Sequence, residues 1–158
     1  MRKYIRRWVN SARGLRFLLN WYRPYRGAGI RITSISDDFM HARVEMRQHW
    51  YNKNYVGTHF GGSLYSMVDP MYMLLLMQRL GRDYIVWDKS AHIDFVSPGR
   101  GTVHAEFTIT ESQLAEIKAA ADRGEKVLPE WKVYVKNTSG DVVAKVHKTL
   151  YVRRKPTT

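Results

Sequence analysis

Hydrophobic and polar residues follow two different periods along this chain, and the changes of period mark its elements. Ile5, Trp8, Ala12, Leu15, Leu19 and Tyr22 recur at three- and four-residue steps, which predicts a helix over residues 3–22 ended by Pro24. Two alternating stretches, 30–36 and 39–47, then predict strands around an Asp37-Asp38 turn. Residues 48–61 have no periodicity and read as loop. Residues 62–80 are apolar on nearly every side and end before Gly81, so they predict a central helix that something must enclose. Beyond it come a long strand over 84–97, a turn at Pro98-Gly99-Arg100-Gly101, and a strand over 102–109 that alternates at Val103, Ala105, Phe107 and Ile109. A short amphipathic helix over 111–123 follows, then a hairpin of strands 130–137 and 142–153 around Ser139-Gly140-Asp141. In the last strand Val142, Ala144, Val146, Leu150 and Val152 share one face. The links between strands after residue 80 are short or hairpin-like, so the sheet is expected to be mainly antiparallel and to curl round the central helix.

Composition narrows the partners. The chain has 158 residues, the length of one domain, with no internal repeat. It has no Cys, which excludes a disulfide scaffold, a thiolate zinc site and a cysteine nucleophile, and fits a reducing, cytoplasmic setting. The formal charge is +12, but residues 1–26 hold eight Lys and Arg with no acid, leaving the rest at a net +4. A nucleic-acid reader spreads its basic surface over the folded body, so nucleic acid is not an expected partner. The division expected is a basic amphipathic helix over 1–26, laid on a single domain over 27–158. The same Arg-rich, acid-free segment also fits weak contact with a membrane surface, or a transit peptide. No run reaches the ~18 apolar residues of a transmembrane span. The His residues have no paired spacing for a metal.

The chemistry concentrates between Asn54 and Pro70. Gly61-Gly62 opens the central helix, and Asp69 follows seven residues after Gly62, about two helical turns on. Backbone N–H groups at a helix start attract negative charge, and a carboxylate can act as base. Together they supply two parts of an acyl-transfer site. Each residue also has a plainer role. Asp69 before Pro70 reads as an N-cap where the helix breaks and restarts. The glycines suit a loop that needs positive φ, and Asn54 suits a turn.

The stretch Asn54, Gly57-Thr58, Gly61-Gly62 and Asp69, with the strand end Ile93-Asp94-Phe95-Val96-Ser97-Pro98, resembles the hotdog-fold acyl-CoA thioesterases of the phenylacetyl-CoA type. Within that superfamily, Pro24-Tyr25-Arg26-Gly27-Ala28-Gly29-Ile30 and Tyr84-Ile85-Val86-Trp87-Asp88-Lys89 are similar to a little-characterised domain family. The resemblance covers roughly residues 28–153. It implies an α+β hotdog domain, a homodimer or a tetramer made of two dimers, and hydrolysis of an acyl-CoA to free acid and CoA without a cofactor. By the same resemblance Asp69 acts as base or nucleophile, the Gly61 amide polarises the thioester carbonyl beside Gly62, and Asn54 holds water or carbonyl. Asp69 of one subunit would face Gly61 of the other. Gly57, Thr58, His59 and Phe60 line the substrate loop, and Asp88 falls where relatives place a polar pocket residue, with pairing to Lys89 or a nearby Arg as its plainer role. Arg100, then Lys89, are candidates for the phosphates of CoA.

One departure stands out. The better-known thioesterases carry His directly before the Gly-Gly pair, where this chain has Phe60, with His59 one place earlier. That departure favours the alternative, a non-catalytic acyl-CoA or lipid-binding hotdog protein.

Overall fold

The computed structural model of the chain describes residues 11–156. The elements are α1 (Ala12–Trp21), α2 (Arg23–Ala28), β1 (Ile30–Ile35), β2 (His41–Arg47), α3 (Gly61–Ser66), α4 (Met71–Leu80), β3 (Tyr84–Phe95), β4 (Thr102–Thr108), α5 (Glu111–Asp122), β5 (Glu130–Asn137) and β6 (Val142–Arg154). The strands form one sheet in the order β1-β2-β4-β5-β6-β3, and every neighbouring pair is antiparallel. The sheet puts one face of every strand against α4. Ile32, Val44, Val86, Ala105, Val133 and Val146 join Met71, Leu75 and Leu76 in a single buried core.

Three sequence expectations need correction. The helix expected over 62–80 is two helices. Residues 67–70 form a turn, because Pro70 has no N–H to continue the backbone ladder and its ring crowds the preceding turn. Pro24 does not merely end a helix: α1 stops at Trp21, and Pro24 sits in the first turn of α2, where its missing N–H costs nothing. The start expected at residue 3 lies outside the described residues. Finally, the link from β3 to β4 is not a hairpin. The β5–β6 pair lies between them, and β3 runs along β6 from Tyr84 opposite Arg154 to Phe95 opposite Ala144.

The two edges of the sheet are treated differently. On β1, Asn20 of α1 donates to Ile32 O and accepts from Ile32 N, at 3.0 and 2.8 Å, and Arg16 donates to Thr33 O at 3.0 Å. These side chains satisfy backbone groups that would otherwise template another strand. They hold α1 to the sheet, with Ala12 and Leu15 buried beneath it. The twelve-residue strand β3 forms the other edge, and Trp87, Phe95 and the neighbouring Val96 stand exposed along it. Met77 of α4 is also exposed, so one chain encloses only part of the helix expected to be wholly covered.

Candidate active site

Loop 48–60 folds around Asn54. The Asn54 side-chain oxygen accepts from Val56 N and Thr58 N, and its amide donates to Thr58 Oγ1 at 2.8 Å and His59 O at 3.3 Å. Its full hydrogen-bonding capacity is therefore used within the loop, which is the plainer of its two expected roles. Gly57 takes φ +77°, a conformation that side chains resist. Its carbonyl accepts from Gln48 Nε2 and from Arg100 Nη1. His59 is buried at 3% exposure, and its Nε2 pairs with Gly101 O at 2.9 Å, which fixes the proton on Nε2. Its Nδ1 has no partner among the described residues. Burial pushes this imidazole below its ordinary pKa, against the opposing pull of the Gly101 carbonyl.

The loop ends at Phe60, and α3 begins at Gly61. The N–H groups of Gly61 and Gly62 lie in the first helical turn and find no acceptor among the described residues. Gly61 opens on a cleft of about 420 Å³ whose walls include Asn54, His59, Leu64, Phe95 and Gly99. A Cβ at Gly61 would meet the Phe95 ring at 2.9 Å, and one at Gly62 would meet the Phe60 ring at 2.5 Å. Neither glycine takes a positive φ; each lies close to an exposed aromatic ring.

Asp69 stands in the turn between α3 and α4. It does not cap α4: the N-cap position is Pro70, and no side chain caps that helix. Instead Asp69 Oδ1 accepts from Tyr65 OH and from Lys148 Nζ, the latter at 2.8 Å. Its Oδ2 has no partner among the described residues, and the side chain is 41% exposed. Lys148, at 1% exposure, also lies 2.7 Å from Asp88 Oδ1. The contact is an ion pair. Burial raises the Asp88 pKa above the ordinary carboxylate range, Lys148 opposes the rise, and Asp69 adds to it. Burial would lower the Lys148 pKa, but its contacts with Asp69 and Asp88 outweigh that and hold it raised. Tyr25 of α2 is near enough to feel both carboxylates; its buried hydroxyl has no partner among the described residues and its pKa is driven up, mostly by burial.

The expected residues thus fall into two groups. Asn54, Thr58, His59 and Gly61 line the cleft, and Asp69 does not. Asp69 and Asp88 meet through Lys148, not through the adjacent Lys89. Lys89 is exposed, at the bulge where the β3–β6 register shifts between Asp88 and Ser90. Arg100 is exposed and donates to Gly57 O. Phe60 is exposed above Gly62. Among the described residues no cluster of His, Asp and Glu is arranged to hold a metal, and no helix is long and apolar enough to cross a membrane. Sequence reading missed Lys148 and Tyr65. The signal for Lys148 was present: it occupies the core-facing row of β6 between Val146 and Leu150, where an unpaired ammonium would be costly.

The arrangement is that of the hotdog fold. A protein of unknown function from Pseudomonas aeruginosa, described as a probable thioesterase, matches with TM-score 0.78 at 18% identity, over 89% of this chain and 93% of that one. A thioesterase from Haemophilus influenzae matches with TM-score 0.68 at 15% identity, over 91% of each chain. The PaaI protein of the Escherichia coli phenylacetic acid degradation operon matches with TM-score 0.59 at 19% identity, over 85% of this chain and 86% of that one. At these identities the likeness establishes the fold. No curated protein matches the chain. The family profile described as a domain of unknown function, DUF4442, matches residues 13–152, and the chain belongs to that family.

Proposed function

We propose that this protein is an acyl-CoA thioesterase. The observation that carries the reading is the state of Asp69: one carboxylate oxygen is anchored by Tyr65 and Lys148, and the other, on a partly exposed side chain, has no partner among the described residues. A carboxylate held this way is suited to take a proton from water. In the proposed reaction the water proton passes to Asp69 Oδ2 and the new hydroxide bonds to the thioester carbon. The carbonyl oxygen gains the charge and is stabilised by the N–H of Gly61. The carbonyl then re-forms, the C–S bond breaks, and the proton on Asp69 passes to the departing CoA sulfur. An alternative first step is direct attack by Asp69 Oδ2 on the carbonyl carbon: the C–S bond breaks, CoA leaves as its thiolate, and the anhydride formed is opened by water, whose proton goes to the thiolate. Neither route needs a metal or a cofactor.

The reading places Asp69 of one subunit opposite Gly61 of the next, in a dimer or a pair of dimers. Two observations support it: Asp69 is absent from the walls of its own chain's glycine cleft, and β3 is a long edge strand left open while β1 is sealed. Gly61, Gly62, Asn54, Gly57, Thr58, His59 and Phe60 then surround the thioester, with Arg100 and Lys89 toward the phosphates. The test is CoA release from a panel of short, medium, long and aryl acyl-CoAs, phenylacetyl-CoA among them, beside Asp69→Ala. Turnover by the parent and its loss in the variant are the expected result. No turnover anywhere on the panel, or equal rates, overturns the proposal.

A non-catalytic acyl-CoA or lipid-binding role is favoured by one feature, the exposed Phe60 ring standing over Gly62. It predicts acyl-CoA affinity without thiol release. Weak membrane-surface contact through residues 1–26 is compatible with either reading. Leu18, Trp21 and Tyr22 are exposed on α1, with Arg23 and Arg26 beside them. Flotation with anionic vesicles that fades with added salt is the expected sign.

A further inference from the structure

We propose that Lys148 is the positioning residue for Asp69, and that Asp88 is the counter-charge that keeps Lys148 protonated and in place while Asp69 carries a proton. The inference rests on the thioesterase reading for its reaction step, but not for its geometry. Lys148 sits in an otherwise apolar row of β6, at 1% exposure, with Nζ 2.8 Å from Asp69 Oδ1 and 2.7 Å from Asp88 Oδ1. Burying an ion pair in a core is seldom worth more than filling the space with a hydrophobic residue. A cation here with two carboxylates, where one would neutralise it, calls for another explanation.

The two carboxylates differ. Asp69 is the more open, at 41% against 25% for Asp88, and takes a true hydrogen bond from Lys148. Asp88 is the more enclosed of the two and pairs with the ammonium from the edge strand β3. In the resting state Lys148 and Tyr65 fix Asp69 Oδ1 and leave Oδ2 to face water. When Oδ2 takes the water proton, Asp69 becomes neutral and its hold on Lys148 weakens. Asp88 is then the remaining anion, so the buried ammonium is never without a partner. The Lys148 proton does not leave at any step. The proton that moves goes from water to Asp69 and on to the leaving sulfur.

Four elements bring titratable groups to this point: Tyr65 from α3, Tyr25 from α2, Asp88 from β3 and Lys148 from β6. Both phenols are raised, mainly by burial, and stay protonated near neutrality. Asp88 therefore feels two opposing neighbours, the Lys148 cation that favours its ionised form and the Asp69 anion that disfavours it.

That opposition gives the test. Lys148→Met, Lys148→Arg and Asp69→Asn are compared with the full chain by two readouts. One is the split between kcat and KM for CoA release; the other is the carbon-13 titration of the Asp88 carboxyl, which needs no turnover. Lys148→Met is expected to lower kcat about tenfold or more with KM nearly unchanged, and Lys148→Arg, which keeps the charge, to recover part of the loss. Lys148→Met is also expected to raise the Asp88 midpoint, and Asp69→Asn to lower it. If Lys148→Met does not fold, the downward shift of Asp88 in Asp69→Asn and the kcat of Lys148→Arg still decide. An unchanged kcat in Lys148→Met, or an Asp88 midpoint that stays fixed in Asp69→Asn or moves the same way in both variants, overturns the proposal. A parent that releases no CoA but shows the opposed Asp88 shifts removes the thioesterase reading and leaves the coupling of both carboxylates through Lys148 standing.

Discussion

The glycine cleft and the carboxylate cluster lie at the two ends of α3, and they handle polar groups in opposite ways. In the cleft the loop satisfies itself but for His59 Nδ1, which has no partner among the described residues. Asn54 makes four hydrogen bonds to its own neighbours, and His59 is locked to Gly101 and held neutral. What remains is shape, with apolar walls and the N–H groups of Gly61 and Gly62. In the cluster the groups do not balance. Two carboxylates share one ammonium, and Asp69 Oδ2 is left over. Rigid shape suits holding a substrate, whereas an unbalanced charge set suits moving a proton. The difference teaches that neither region alone holds all the parts of the proposed reaction, and the proposal joins the first from one chain to the second from another.

The sharpest way to break this comparison is at Asp69. Asp69→Asn keeps the size of the side chain and an acceptor for Tyr65 OH, yet removes the base. A fall in kcat of about 10²- to 10⁴-fold is expected, read by CoA release, with the melting temperature nearly unchanged. Equal activity would show that the cluster is structural. Next in size is Gly61→Ala. Its Cβ would press on the Phe95 ring at 2.9 Å, but that ring is exposed and free to turn, so stability should change little. In the proposed reaction the added methyl stands where the carbonyl approaches, and a loss of about 10- to 100-fold in kcat is expected, short of deleting an oxyanion donor. A large drop in stability with unchanged kcat would make Gly61 a packing residue only.

Much of the fold was legible because the sheet is half-buried. Val103, Ala105 and Phe107 alternate with polar residues, and β4 forms where that period runs. The hairpin of β5 and β6 lies where the sequence places it, because Ser139-Gly140-Asp141 can turn and the flanking stretches keep period two. Strand order was not legible. A short turn after Pro98 looks local, yet β3 pairs with β6 along eleven register positions, a long-range choice no nearby residue encodes. The helix break at 67–70 is present in Asp69-Pro70, but a continuous apolar run outweighs one proline in a periodicity reading. At the site, Gly61 and Asp69 stood out because special residues were spaced in one short stretch. Lys148 lies far along the chain and shows only as a gap in an apolar row. Its meaning needs Asp69 and Asp88 brought beside it in space.

Asn54→Ala sharpens the comparison from the other side. It strips four hydrogen bonds from the loop and leaves Thr58 N and Val56 N seeking water. A loss of about 1–2 kcal/mol is expected in urea unfolding, since the groups are only partly buried. If Asn54 serves the loop alone, the variant should raise KM more than it lowers kcat. A fall in kcat as large as that of Asp69→Asn would move Asn54 into the reacting machinery.

The smallest effect is a pH dependence of stability from His59. Its folded pKa lies below the ordinary value of about 6.5, because burial penalises the imidazolium. The unfolded chain therefore binds this proton at a higher pH than the folded chain does. Above about pH 6.5 neither state holds it, and the stabilising contribution is complete. As pH falls from there through the folded pKa, stability is lost, at no more than about 1.4 kcal/mol per pH unit for one proton. His104 is also lowered, first by burial and then by Arg43, so it acts with the same sign in the same window. The two are separated by His59→Gln, whose amide can still donate to Gly101 O but does not titrate. Urea midpoints at pH 7.5, 6.5 and 5.5 should fall less in the variant than in the parent, the remaining slope belonging to His104. Identical slopes would mean that His59 takes up its proton without leaving the loop. The cleft would then carry a charge at mildly acid pH, and its contrast with the carboxylate cluster would narrow.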